Sequence, residues 1–486
     1  MRRGLSSLLS SLACLVVGLL VSSPAESQAQ GITIYEGARL IVGDGTAIEN
    51  SAFVVQNNQF TQVGRRGEVQ APAGAARVDL TGKTVMPTLV DAHTHLGFQN
   101  LARGTMSKET FTRANLIDHL QRLAYFGVGA VVGVGDLVDR SDMKGGRTGW
   151  GDVPLKLRDE VIPNTPLYKT AGAGMAWPGS GAQGNPSRTD VAYPITTPEE
   201  ARAAVRDYVR VRPEFIKIWV DDREGTKMTL TPPLYLAVLD EAHRNNVPVG
   251  VHNVTLANAK QMMRAGMEGW LHVPVRGHDS VDDELVSIVR DRIARNDRPV
   301  IWMTPSLISA YMTTFGGPNR PAWLDDPLVT ATYSREQIEA YWGEPLRRMT
   351  PAQVAQAKES FAHDGRNAIR LRDAGMKIIS GSDTGQNRHL IGLANHMDME
   401  GWVAFGLTPM QAIVGATRDG AAVGKFNTGM VAAGKNADFI VLDGNPLENI
   451  SNTRKINRVY LRGSEVPRAQ FAARWQAAWR AAAATK

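Results

Sequence analysis

Eight short apolar runs lie between about residues 85 and 383, most of them followed by a helical pattern, and five carry or end in His93/His95, Lys217, His252, His272 or Asp383. No other feature constrains the fold as tightly, because strand and helix in strict alternation point to an α/β chain wound as a (β/α)8 TIM barrel. The runs begin at Val85, Ala130, Pro166, Phe215, Pro248, Gly269, Pro299 and Met376. Helix starts between them are marked by Thr197-Pro-Glu-Glu200 and by Thr231-Pro-Pro, each with a hydroxyl cap and proline at the first helical position.

The titratable residues follow a pattern. The first run, Val85-Met-Pro-Thr-Leu-Val-Asp-Ala-His-Thr-His95, reads as a single buried parallel strand, and its i, i+2 spacing turns the His93 and His95 imidazoles the same way. Lys217, His252, His272 and Asp383 occupy strands 4, 5, 6 and 8 in the same manner. In a barrel of this kind the C-terminal ends of the strands carry the active site. Neutral nitrogen and anionic oxygen donors gathered there have no structural purpose in an apolar mouth, and they suit Zn²⁺ and similar first-row ions.

In these motifs the chain resembles the amidohydrolase superfamily, in the subgroup similar to imidazolonepropionases and metal-dependent prolidases. The order is His-x-His, a strand lysine, two strand histidines, then Gly-Ser-Asp383 where the family has Gly-Thr-Asp. The tail adds Ala416-Thr-Arg-Asp-Gly-Ala-Ala-Val-Gly and Gly434-Lys-Asn-Ala-Asp438-Phe-Ile-Val-Leu-Asp443, so the resemblance covers nearly all of the chain beyond its leader. It implies a two-metal hydrolase. His93, His95 and Asp383 would hold one divalent ion and His252 and His272 the other, most naturally zinc. An ammonium between two cations sheds its proton readily, and the neutral amine adds carbon dioxide. The resemblance makes Lys217 such a carboxylated bridging ligand. It further implies a metal-bridging hydroxide as nucleophile and Asp383 as the general base and acid, acting on an amide-type C–N bond of a peptide, an N-acyl amino acid or a similar small amide.

Departures from the pattern concern the substrate. His252 is followed by Asn-Val-Thr, strand 6 reads Leu271-His-Val-Pro274 without the usual preceding acid, and the strand 3 loop carries Gly181-Ala-Gln183-Gly. The prolidase-like contact to a substrate carboxylate therefore falls to other residues, with Arg276, Arg388 and His389 as candidates. A cyclic-amide hydrolase or a mononuclear deaminase is the alternative within the fold, although deaminases of this fold lack the strand 4 lysine. A non-catalytic small-molecule binding protein on the same scaffold is the alternative from another class.

Around the barrel the texture changes. Residues 30–86 and 421–465 carry short alternating runs split by glycine and asparagine, which read as short antiparallel strands; the family resemblance implies that they join as one small β-sandwich beside a barrel at 87–420. A C-terminal helix at 466–486 places Trp475 and Trp479 four apart for packing or a subunit contact, compatible with a homo-oligomer. The connection from Leu307 to Arg348 is long for a barrel loop and rich in aromatics, Tyr311, Phe315, Trp323, Tyr333 and Tyr341 among them, which either line a pocket or anchor the segment.

Residues 1–29 read as a secretory leader: Arg2 and Arg3, an apolar stretch from about Leu8 to Val21, then small residues. The expectation is an exported protein, periplasmic or extracellular, without a stable membrane span after cleavage. The only cysteine, Cys14, would leave with the leader, so neither a disulfide nor a thiolate is available. The net charge of +6 is scattered among acids and no nucleic-acid module is present, which excludes a polynucleotide partner and suits anionic substrates.

Overall fold

The computed structural model describes residues 31–136, 153–188, 191–277, 279–296, 301–316, 320–385 and 389–484; the expected leader and its Cys14 lie outside them. All eight expected strands form, and all are parallel. Leu89–Thr94, Val128–Gly133 and Leu167–Thr170 make one sheet. Ile216–Val220, Val249–Asn253, Gly269–Leu271, Trp302–Thr304 and Lys377–Ile378 run side by side in a second, extended at one edge by Met175–Ala176 and Tyr193–Pro194. Backbone bonds join the two sheets at both edges. Ala92 N donates to Ser380 O and Asp383 N to His93 O, each at 2.8 Å, while Glu214 N reaches Thr170 O at 3.2 Å.

Side-chain alternation sorts these strands into two faces. In Ile216–Val220 the residues Ile216, Ile218 and Val220 pack into the main apolar core, whereas Lys217 and Trp219 point the other way and line a cavity. His252 sits beside Trp219 in the ladder and takes that same inner face. A slip of one residue would bury Ile218 in the cavity and turn Lys217 into the core, so the register that builds the core also places the site.

The first apolar run is not one strand. Thr84–Pro87 pairs with Phe439–Leu442 and with Arg39–Ile41, and only from Leu89 does the chain enter the parallel sheet. Pro87 has no N–H to continue a ladder, and the two flanking bonds diverge: Thr88 N donates to Asp438 O and Leu89 N to Gly127 O. Both chain ends thereby share a six-stranded sheet. It faces a four-stranded sheet, in which Thr33–Glu36 pairs with Ser51–Gln56, across an aromatic cluster. Phe439 is its centre, with ring centroids 5.1 Å from Tyr35, 5.2 Å from Phe53 and 4.5 Å from Tyr460.

The connection after Trp302–Thr304 is helical rather than open, with Ile308–Gly316, Pro327–Thr332, Arg335–Ile338 and Glu344–Arg347 along it. Its aromatics anchor it. Tyr333 and Trp342 are buried in the main core, Tyr311 packs on Phe361, and none of the five faces the cavity. The C-terminal helix Arg468–Ala484 likewise uses Trp475 for packing: its Nε1 donates to Asp118 at 2.7 Å under the Arg122 guanidinium. Among the described residues no helix is long and apolar enough to cross a membrane.

Since Phe439 joins segments from both ends of the chain, Phe439→Ala is expected to destabilise the protein by about 3–5 kcal/mol, read as the shift of the urea midpoint. A shift below about 1 kcal/mol would mean that the two small sheets do not depend on this cluster.

Candidate metal centre

His93, fully buried, and His95 leave the strand Leu89–Thr94 on its inner face, and Asp383 meets them from the turn after Lys377–Ile378. Asp383 Oδ1 lies 2.9 Å from His95 Nε2 and 3.5 Å from His93 Nε2, and one donor atom from each of the three residues falls within 4.8 Å of the others. Val134 O accepts from His95 Nδ1, so the Nε2 of that ring is the one turned toward Asp383. Asp383 adopts φ 51°, a left-handed backbone that costs energy for any residue but glycine. The approach is tight: a Cβ on Gly381 would stand 2.4 Å from Thr304 Cγ2 and 2.8 Å from His93 Cβ, so only glycine fits there.

One buried carboxylate organises this half of the site. Asp91, two residues before His93 on the same face, accepts from His93 N and Ser382 N at 3.1 Å, from Ser382 Oγ at 2.5 Å and from Asn395 Nδ2 at 2.7 Å. It fastens the His-x-His strand to the Gly-Ser-Asp turn. His389 adds a second tie, donating from Nδ1 to Ser382 O and Asp383 O.

Lys217, His252 and His272 form the other half. The His252 and His272 ring centroids are 4.7 Å apart, and His272 is 5.0 Å from His93, so the four imidazoles make a continuous row from His95 to His252. Asp221, just past the strand Ile216–Val220, accepts from His252 Nε2 at 3.0 Å, leaving Nδ1 as the free nitrogen of that ring. His272 has φ 102°, a second strained backbone among the candidate ligands. Lys217 is buried with Nζ 4.9 Å from the Trp219 ring centre, and among the described residues no acid pairs with it.

Burial decides the charge states. It lowers His93 and His272 well below the usual imidazole range, His95 to about 4 and His252 to about 3. Lys217 is likewise driven far below an ordinary amine by burial. Burial alone would raise Asp383, but the close approach of His95 and the surrounding imidazoles hold its carboxyl well below the usual range. The result at neutral pH is a set of uncharged nitrogens with open lone pairs around one carboxylate. His93 Nε2 is buried without a hydrogen-bond partner, an orphan that a cation would satisfy. The donor set therefore fits divalent metal ions.

All six expected ligands, with Arg276 and His389, line a single cavity of about 600 Å³. Arg388 lies outside the described residues. Residues that the sequence did not single out are Asp91, Asp221 and Arg188. Asp91 stands in the same i, i+2 series as the histidines, and Asp221 ends a strand-like run, so both carried a readable signal. Arg188 arrives from a turn in the glycine-rich strand 3 loop, where spacing carries no information. His119, in the helix Arg113–Tyr125, is structural: its Nδ1 accepts from Gly97 N and its Nε2 donates to Gln99 O, each at 3.0 Å.

Parallel strands present these donors together on one cavity, a set that fits divalent metal ions. The model of the amidohydrolase family matches residues 179–466, more than half of the chain, and the chain belongs to that family, enzymes that hydrolyse carbon–nitrogen bonds. Ochratoxinase of Aspergillus niger is 23% identical over 471 residues, covering 89% of this chain and 85% of that protein. Among solved structures the fold is similar to a Xaa-Pro dipeptidase with methionine bound in its active site, at TM-score 0.65 and 21% identity over 90% of this chain and 99% of that one. Molinate hydrolase is similar at TM-score 0.63 and 18% identity, covering 90% and 95% of the two chains.

If Asp91 positions the first ligand group, Asp91→Asn should weaken metal retention about 10–100-fold in chelator competition, with the fold intact by circular dichroism. Unchanged retention would remove Asp91 from this role.

Proposed function

We propose that this chain is an exported, binuclear metal-dependent amidohydrolase that cleaves an amide-type C–N bond in a small substrate. The observation that carries the reading is the row of four neutral imidazoles with Lys217 and Asp383 on one cavity. His93, His95 and Asp383 would hold one ion, His252 and His272 the other, with Lys217 as a carboxylated bridge; zinc suits these donors. The residues also suit carboxylation. A buried amine without an ion pair is a nucleophile, and adding carbon dioxide to Nζ forms an N–C bond, releases one proton and converts an isolated base into a carboxylate.

Bound divalent ions there would supply water of lowered pKa and polarise the scissile carbonyl. The chain's own residues do the rest. Asp383, held ionised, accepts a proton at a carboxylate oxygen and returns it to the departing amine nitrogen. Asp221 holds His252, and Val134 O holds His95, each with one ring N–H committed, so that the other nitrogen of each ring is left as a lone pair able to ligate an ion. Relatives named as a Xaa-Pro dipeptidase and an ochratoxinase support a small amide or peptide as the substrate.

In this reading the two parallel sheets are one closed (β/α)8 barrel at 87–420, the two smaller sheets are a β-sandwich built from 30–86 and 421–465, and residues 1–29 are removed on export. The hydrogen bonds at both sheet edges and the shared aromatic cluster support the architecture.

Three measurements test the reading together. The purified protein should carry about two divalent ions per chain, and chelation should abolish hydrolysis of dipeptides and N-acyl amino acids, with recovery on adding zinc. Asp383→Asn should lose about 10²–10⁴-fold in kcat. Lys217→Ala should retain the fold but lose an ion. Full turnover by the Asp383→Asn chain would overturn the assignment of the proton carrier, and full turnover by the metal-free protein would overturn the class.

A further inference from the structure

Two guanidiniums line the cavity with no carboxylate in salt-bridge contact among the described residues, although Asp383 and Asp136 act on Arg188, and Asp364 and Asp221 on Arg276, from farther off. Arg188, only 3% exposed, donates from Nη2 to Gly135 O at 3.2 Å, lies 3.0 Å from His95 Nδ1 with the same atom and stacks over the Phe98 ring at 5.4 Å. Arg276 brings Nη2 to 3.5 Å from His252 Nε2. In each the Nε is buried without a hydrogen-bond partner. Among the described residues neither is ion-paired to a carboxylate. Arg223 on the same wall contrasts with them, being half-exposed and paired to Asp221 at 3.1 Å.

A guanidinium offers five N–H donors, and a buried Nε left without an acceptor is costly unless an anion completes the site. The placement adds more. In the row of rings, His95 touches His93, His93 touches His272 and His272 touches His252, with Arg188 beside the first and Arg276 beside the last. The ligand row that would bind the scissile group is flanked by a cation at each end, Arg188 buried and Arg276 partly buried.

On the strength of the function proposed above, we infer that the preferred substrate is a doubly anionic amide with one carboxylate on the acyl side of the scissile bond and one on the amine side. Arg188 and Arg276 each take one of them. An N-acyl amino acid whose acyl chain itself ends in a carboxylate has this form. Neither arginine touches the reacting bond; each sets specificity through KM and through the energy that positions the amide.

The test is a matched set of four substrates on the metal-loaded full chain: N-succinyl-leucine, N-butanoyl-leucine, N-succinyl-isoamylamine and N-butanoyl-isoamylamine. Each carboxylate is expected to raise kcat/KM roughly 10–100-fold. Arg188→Gln and Arg276→Gln should each erase the preference at a different end, and Arg188→Lys and Arg276→Lys should restore part of it. Equal cleavage of all four would overturn this inference and leave the hydrolase reading standing. If none of the four is cleaved, binding decides: greater thermal stabilisation by glutarate than by butyrate, lost in both Gln variants, upholds the doubly anionic site, and equal stabilisation overturns it.

Discussion

The buried carboxylate of Asp91 is the constraint on which the site rests. It carries no exposure, yet it accepts four hydrogen bonds that tie the first parallel strand to the turn after the last. A carboxylate buried this deeply persists only when its lone pairs are answered, and here every answer comes from a group whose position matters to a ligand: the His93 amide, the Ser382 amide and hydroxyl, and Asn395. The seam between the two parallel sheets and the meeting of His93, His95 and Asp383 are one arrangement.

The same economy appears in the backbone. Asp383 and His272, from different strands, both adopt positive φ, and Gly381 admits no Cβ between His93 and Thr304. Strain of this sort survives where the surrounding packing over-determines it, which the strands on either side do. Hydrophobic burial in the outer layer thus holds the inner face in a geometry that the polar residues would not choose alone. The guanidiniums of Arg188 and Arg276 belong to that imposed geometry, since each keeps a buried Nε without a hydrogen-bond partner.

Much of this was legible in the chain. Titratable residues punctuating apolar runs marked Lys217 and His252 as candidates, and the His-x-His spacing placed two imidazoles together, because strand geometry leaves little freedom once one face is apolar. The split of the first run at Thr88 was not legible, since an apolar stretch does not say which sheet will pair with it. Arg188 was hidden for a related reason: a glycine-rich turn carries no periodicity, and its side chain reaches the cavity only because the fold brings that loop over Trp219. The aromatic connection after the seventh parallel strand showed its length but not its purpose, which is decided by contacts with Phe361 and the main core far along the chain.

The central claim is that two ions share this cavity. Anomalous X-ray diffraction at the zinc absorption edge, on crystals of the zinc-loaded protein, tests it most directly. Two peaks are expected, one coordinated by His93, His95 and Asp383 and the other by His252 and His272, with continuous density from Lys217 Nζ between them. A single peak, or peaks away from these side chains, would contradict it.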